Sequence, residues 1–437
     1  MFNKQLYLSL ALAAMVSLVG CGGGGGGSSS AQPAPGSTGG GTTGGGATGG
    51  GATGGGTPTT PDPAPNAGDD ARRAVLTDIS AQIILPSLVA FETQAANLNT
   101  AATSYAASPT DAAALSAAQN AWQDAMAAWQ RNEVLQVGPA GRTSNPDAVA
   151  GGQDFRDLIY SWPFTLDVCS LEAAAANGAT VDSSTSIDTV GLGALEHLLY
   201  TAEAPADCVA TPSAAARASH VERLAARVSL LATSLRNRWD SAGGNFVEQW
   251  NTAGAGSLIY AAPQDALNAL SIALFYVEKE TKDRKIGLTT GIGATSLVCG
   301  NQASCPEFLE SRLSRRSGQN LLANTQAFRD IFTGAGGGMG LNDLLIGIDR
   351  EDIATTLIQQ LDLVLVRLEA IEASDGFDAS VEAVDDRTEC TNAFSSSSGV
   401  APCALLGEIK TALDTFRIDV VAALNLSIPD SAAGDND

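Results

Sequence analysis

Two carboxylates on apolar helical faces, and two histidines, are the residues of this chain whose types and spacing could do chemistry. Glu196 and His197 sit in V-G-L-G-A-L-E-H-L-L-Y, residues 190–200, where Leu192, Leu195, Leu198 and Leu199 put leucine on every face of a helix. A carboxylate buried there is costly unless it is paired, protonated or bound to a cation. Two readings follow: a structural glutamate tied to an arginine or a backbone N–H, and a ligand or proton-handling site. Glu133 is the second such acid, because Trp122, Met126, Trp129 and Glu133 follow one another at helical spacing and share one buried stripe. Glutamate oxygens suit hard cations such as Fe(III), Mn, Ca or Mg better than soft metals. His220, the other histidine, is flanked by Ser219 and Glu222 with no second ligand one turn on, and reads as solvated. With two histidines in these contexts, no serine–histidine or cysteine–histidine catalytic set can be assembled.

Arg156 and Asp157 precede Ser161-Trp162-Pro163, and Asp167 follows. Arg156 is the nearest cation for pairing with a buried acid, and Asp154 and Asp157 are candidates for an acidic cluster. Trp162 beside Pro163 also reads simply as packing and helix termination.

These segments together resemble the imelysin family. The family signature G-x-H-x-x-E aligns with Gly191 to Glu196, A-W-Q-D-A-M-A-A-W-Q-R-N-E-V-L-Q-V-G-P is similar to its early helix, and Ser161-Trp162-Pro163 resembles its S-W-P motif. The signature glutamate carries over to Glu196, whereas its histidine position is Gly193. Gln136 stands where the family pattern suggests arginine. The resemblance implies two antiparallel helical bundles and a non-enzymatic envelope lipoprotein implicated in iron uptake, binding a cation or small ligand between the bundles at Glu133, Glu196 and His197, with Arg156, Asp157 and Trp162 in support. The resident cofactor stays unnamed beyond iron or another hard cation. Two other readings remain: a structural or partner-binding lipoprotein that has lost any metal site, and a metallopeptidase. Gly193 to His197 is one residue short of the H-x-x-E-H zinc motif, so His197 would be left without its partner ligand.

Alanine and leucine dominate the chain after residue 68, and β-branched runs are scarce, so the fold class is all-α. Periodicity predicts helices over about 70–107 with a kink or break at Pro86, then to about Val137 after a Ser108-Pro109 start, 211–240, 262–285, 306–332, 350–373 and 401–426. The helical domain spans 69–437, with a bundle boundary at about 245–300. The charged end of the 262–285 helix, into Ile286-Gly287-Leu288, resembles the K-x-G-L segment of imelysin-like lipoproteins and reads as a solvated terminus. The glycine-rich loop 334–340 lacks the G-K-[ST] ending of a phosphate loop.

The first 20 residues form a secretory signal that ends in Leu18-Val19-Gly20-Cys21, a lipobox pattern in which Cys21 becomes the lipidated N-terminus. Gly22 follows, with no aspartate to suggest inner-membrane retention, so the expected place is the outer membrane on its periplasmic side. Residues 21–68 are a Gly/Ser/Thr/Pro tether, whose coil would span about 40 Å. Of the seven cysteines, six remain for disulfides in an oxidising compartment. Sequence proximity favours Cys169–Cys208, Cys299–Cys305 and Cys390–Cys403. A net charge of −23 argues against nucleic acid and leaves the membrane, a cation or small molecule, and an envelope protein as partners.

Overall fold

Helix-forming residues with an apolar stripe become helices that bury that stripe, and the structure, a computed structural model, has no other regular element among its described residues. It describes residues 67–143, 149–163, 165–292, 299, 302–391 and 398–432. Cys21 and the tether lie outside them. In chain order the helices are α1 (Asp69–Ile79), α2 (Leu85–Ala107), α3 (Ala112–Glu133), α4 (Phe155–Ile159), α5 (Val168–Ala176), α6 (Gly191–Tyr200), α7 (Ala214–Trp239), α8 (Phe246–Asn251) and α9 (Pro263–Leu274). They continue with α10 (Ser317–Thr333), α11 (Leu341–Ile346), α12 (Glu351–Ala373), α13 (Phe377–Glu382), α14 (Arg387–Thr391), α15 (Ala401–Asp414) and α16 (Val421–Leu424). The all-α class is as expected.

The helices gather in two sets. In the first, α2 packs along α7 and α3, and α6 lies against α7 and α3. In the second, α12 packs on α15 and α10. Helix α3 also packs on α10 and joins the sets, and the helical part of the chain forms one compact unit. Phe91 against Trp129, with ring centroids 5.0 Å apart, and the T-shaped contacts linking Trp239, Phe246, Trp250 and Tyr260 fill the first core.

Several boundaries differ from the sequence reading for identifiable reasons. The helix continues through Pro86, and the irregularity lies upstream, where Ser80–Ile84 winds as a π turn, a common way to accommodate a proline-linked disruption. Asp111, not Ser108, caps α3, its carboxylate accepting from the Ala113 N–H at 2.8 Å. Beyond α9 the chain goes into a long π segment, Val277–Leu288. Residues 306–316 are not helical beyond a short 3-10 turn, Pro306–Phe308; Arg315 takes a left-handed φ of 54°, and α10 starts only at Ser317. All three disulfides form in the pairing that proximity favours.

Candidate functional site

The junction between the two helix sets holds a buried charged centre, and Glu133 is at its heart with no exposed surface. It projects from the last turn of α3. The Trp129 indole N–H, one turn earlier, donates to it at 2.9 Å, and the Tyr276 hydroxyl donates to its other oxygen. Arg156 from α4 approaches to 3.4 Å and Lys285 from the π segment to 3.7 Å. Burial pushes the Glu133 carboxyl upward, opposed by the charges of Arg156 and Lys285. Arg156 is in turn held by Asp157 at 2.9 Å and donates to the Trp162 carbonyl, and despite burial its guanidinium is held above the ordinary range by Glu133.

Lys285 is the hub of the centre. Its ammonium lies 2.9 Å from Glu310 and 2.8 Å from both the Gln130 and Asn324 side-chain oxygens, and it sits over the rings of Trp162 and Tyr276 at 5.4 and 5.3 Å. Glu310 also accepts from Gln130 at 2.9 Å and from Asn320 at 3.0 Å. The expectation of a solvated terminus at Lys285 is therefore wrong: Glu278, Lys282 and Lys285 are all buried. The π segment carries them into the interior, against α10 and α15, instead of ending in water. A cleft lined by Gln136, Arg142, Arg156, Tyr276, Lys279 and Glu280 among others reaches Arg156 and Tyr276, two of the four side chains that hold Glu133.

Glu196 is placed differently. It is 6% exposed, and one carboxylate oxygen accepts from the Ser314 N–H at 2.9 Å and from its hydroxyl at 2.8 Å. Among the described residues no ion pair reaches it. Burial raises its carboxyl to about 7; the Ser314 bonds pull the other way, and Glu310 and Asp378 add to the rise. Because residues 309–316 turn instead of forming a helix, they deliver both Glu310 and Ser314 to this junction. Tyr160 follows α4 directly, and burial, with the charges of Glu310, Glu196 and Glu133, pushes its phenol well above its ordinary value.

The local fold that brings these groups together depends on glycine. Gly191 starts α6 with a φ of 79°, and a Cβ there would lie 2.4 Å from the Ile159 carbonyl oxygen at the end of α4. That close approach sets Tyr160 against α6. At Gly193, the signature-histidine position, a Cβ would sit 3.7 Å from the Tyr160 ring.

His197 belongs to another cluster. Its Nε2 lies 2.7 Å from Glu172 on α5, which also accepts from Arg217 on α7. Burial lowers the His197 pKa, with Glu172 opposing. His220 is not solvated, as its neighbours in sequence suggested. It is 2% exposed on the inner face of α7, with Arg223 donating toward Nδ1 at 3.2 Å, and burial and then Arg223 lower it to about 4. Asp154 and Asp157 form no acidic cluster: Asp154 accepts from Thr143, and Asp157 pairs with Arg142 and Arg156.

As for metal binding, the sets of three His, Cys, Asp or Glu side chains close enough to share an ion, among the described residues, are Cys169, Cys208 and Asp207, and Cys299, Cys305 and Glu307. Both contain disulfide sulfurs, which are not available as thiolates. The sequence reading missed Lys285, Gln130, Asn324, Tyr276, Tyr160 and Ser314. Lys285 had one signal, its place in the K-x-G-L segment.

A two-set helical protein with a buried charged junction between the sets is the class that fold and site define. The imelysin family model matches residues 84–397, and the chain belongs to the imelysin family. Two crystal structures share the fold. One is of a protein described as an iron-regulated protein A precursor from Parabacteroides distasonis ATCC 8503, 16% identical, with a TM-score of 0.61, covering 83% of this chain and 98% of that one. The other is of an imelysin-like protein from Psychrobacter arcticus 273-4, 15% identical, with a TM-score of 0.59 and the same coverage. No curated protein matches the chain.

Proposed function

We propose that this chain is a lipid-anchored envelope protein of the imelysin family that takes up a hard cation, ferric iron first among them, at Glu196 in the junction between its helix sets, and that it is not a peptidase. The observation that carries the reading is Glu196 itself: a carboxylate buried to 6% exposure whose hydrogen-bond partners among the described residues are the N–H and hydroxyl of one serine. Such a group is poised to accept a cation, whereas Glu133 already has two cations and two hydrogen-bond donors. The lipobox at Cys21 supports the anchor, and the iron-regulated description of a structural neighbour supports the choice of ion. Against peptidase chemistry stand Gly193 in place of the signature histidine and the engagement of His197 by Glu172. The saturation of Glu133 favours a second reading, a structural or partner-binding lipoprotein without a metal. Metal analysis of the chain purified from envelopes without chelators separates the two. Bound iron that is lost on Glu196→Gln is expected; a metal-free wild type that binds no added Fe(III) would leave only the second reading.

A further inference from the structure

We propose that the oxygens around Lys285 form a cage for an ammonium-sized monovalent cation, and that the chain fills this cage with its own lysine. The inference is independent of the reading of Glu196: it assigns a second, self-occupied cation site to the junction and names the class of ion that fits it.

Three oxygens converge on one point. Glu310, from the turn before α10, lies 2.9 Å from the Lys285 Nζ, and the side-chain oxygens of Gln130 on α3 and Asn324 on α10 each lie 2.8 Å from it. An ion pair needs a single carboxylate, whereas here the three N–H bonds of the ammonium have three oxygens, from three elements, to meet. The rings of Trp162 and Tyr276 stand 5.4 and 5.3 Å from the nitrogen, and a Glu133 oxygen stands 3.7 Å from it. Lys285 is 2% exposed and Asn324 and Gln130 have no exposed surface, so the protein itself supplies the coordination.

The cage does not depend on the lysine that fills it. The Gln130 amide donates to Glu310 at 2.9 Å, the Asn324 amide donates to the Gln130 main-chain carbonyl at 2.7 Å and to its side-chain oxygen at 3.0 Å, and Asn320 donates to the other Glu310 oxygen at 3.0 Å. None of these bonds involves Lys285, yet together they aim the oxygens at its Nζ. Without the lysine the centre holds the carboxylates of Glu133 and Glu310 against the guanidinium of Arg156, which Asp157 shares, so it needs a positive charge. Its size selects the class of ion. Distances of 2.8–2.9 Å suit charge-assisted N–H to oxygen bonds of about 2.7–2.9 Å and exceed the roughly 2.3–2.6 Å of calcium and the roughly 2.0–2.1 Å of magnesium. The two rings complement an ammonium cation in the same way. With Nζ in place, the native chain is closed to free cations at this point.

The test is the folding stability of Lys285→Ala, which removes the resident ammonium, in ammonium or potassium chloride and in tetramethylammonium chloride at equal ionic strength. Tetramethylammonium has no N–H to donate and is too large for the cage. The folded-to-unfolded ratio of Lys285→Ala is expected to be at least about ten-fold higher in roughly 0.2 M ammonium chloride than in tetramethylammonium chloride and to saturate with concentration, whereas the wild type should differ by less than about two-fold. Lys285→Met, whose side chain fills the space without charge, should be as indifferent to the salt as the wild type. If Lys285→Ala folds only with ammonium or potassium present, the folded yield recovered in each salt gives the same reading. Equal stability of Lys285→Ala in all the salts, an ammonium response shared by Lys285→Met, or a Lys285→Ala chain that none of the salts folds overturns the inference. Each of these outcomes leaves the Glu196 reading, tested by retained iron, untouched.

Discussion

Glu133 and Glu196 are both buried acids on apolar helices, yet their surroundings are opposite. Glu133 is enclosed by Arg156, Lys285, Trp129 and Tyr276, so its charge is compensated wherever it points. Glu196 is held by Ser314 and pushed to about 7 by burial. A buried ion pair is strongly destabilised when one partner is removed, because the other is left uncompensated, whereas a lone buried charge is a cost that its removal relieves. The same residue type, buried in both places, is thus compensated by two cations in one and held only by the N–H and hydroxyl of a serine in the other.

The largest expected effect that would break this contrast is at Glu133. Glu133→Gln strands the facing charges of Arg156 and Lys285 and should cost roughly 3–5 kcal/mol in chemical denaturation, toward the lower end because Asp157 and Glu310 retain part of the compensation. A loss below about 1 kcal/mol would mean that Glu133 is not the keystone of the centre.

The opposite sign is expected at Glu196. Its folded pKa of about 7 lies above the unfolded value near 4.5, so the associated stability is fully present below pH 4.5 and is lost as pH rises through 7. In metal-free protein at pH 8, Glu196→Gln should leave stability unchanged or raise it by up to about 3 kcal/mol. A melting curve at pH 8 showing a loss as large as that of Glu133→Gln would make the two acids equivalent and remove the basis for a site.

The sequence carried this contrast only halfway. The stripe Trp122, Met126, Trp129, Glu133 and the leucines around Glu196 are local patterns, so the burial of both acids was legible, as were the helical class and the disulfides. What each acid meets is not local. Lys285 lies 152 positions from Glu133 and enters the core on a π segment, whose winding leaves no residue-level signature that separates it from a charged helix end. Glu310 and Ser314 reach the junction because Arg315 adopts a left-handed backbone, a conformation uncommon enough in arginine that a continuous helix was the natural expectation. His220 misled for a related reason. Its neighbours Ser219 and Glu222 describe the turn of α7 beside it, whereas burial is decided by what packs on its inward face.

His220 gives the smallest and most specific way to sharpen the comparison, because its pH dependence runs opposite to that of Glu196. Groups that act on it are Arg223 from its own helix and Glu172 from α5; burial and then Arg223 lower its pKa to about 4, against the opposing charge of Glu172. In the window between about 4 and 6.5 the unfolded chain binds a proton at this residue and the folded chain does not, so stability is present above pH 6.5 and falls as pH drops toward 4. Partial solvent screening at this site limits the contribution to about 1–2 kcal/mol. His220→Gln should therefore remove the loss of stability on acidification between pH 6.5 and 4 and leave the opposing Glu196 dependence, which spans about pH 4.5 to 7, as in the wild type. Denaturation midpoints across pH 4–8, compared between wild type, His220→Gln and Glu196→Gln, resolve the two opposing contributions. An unchanged acid limb would mean that His220 titrates as freely in the fold as in the unfolded chain, and the α5–α7 cluster would then have to be open to water despite the burial of its histidines.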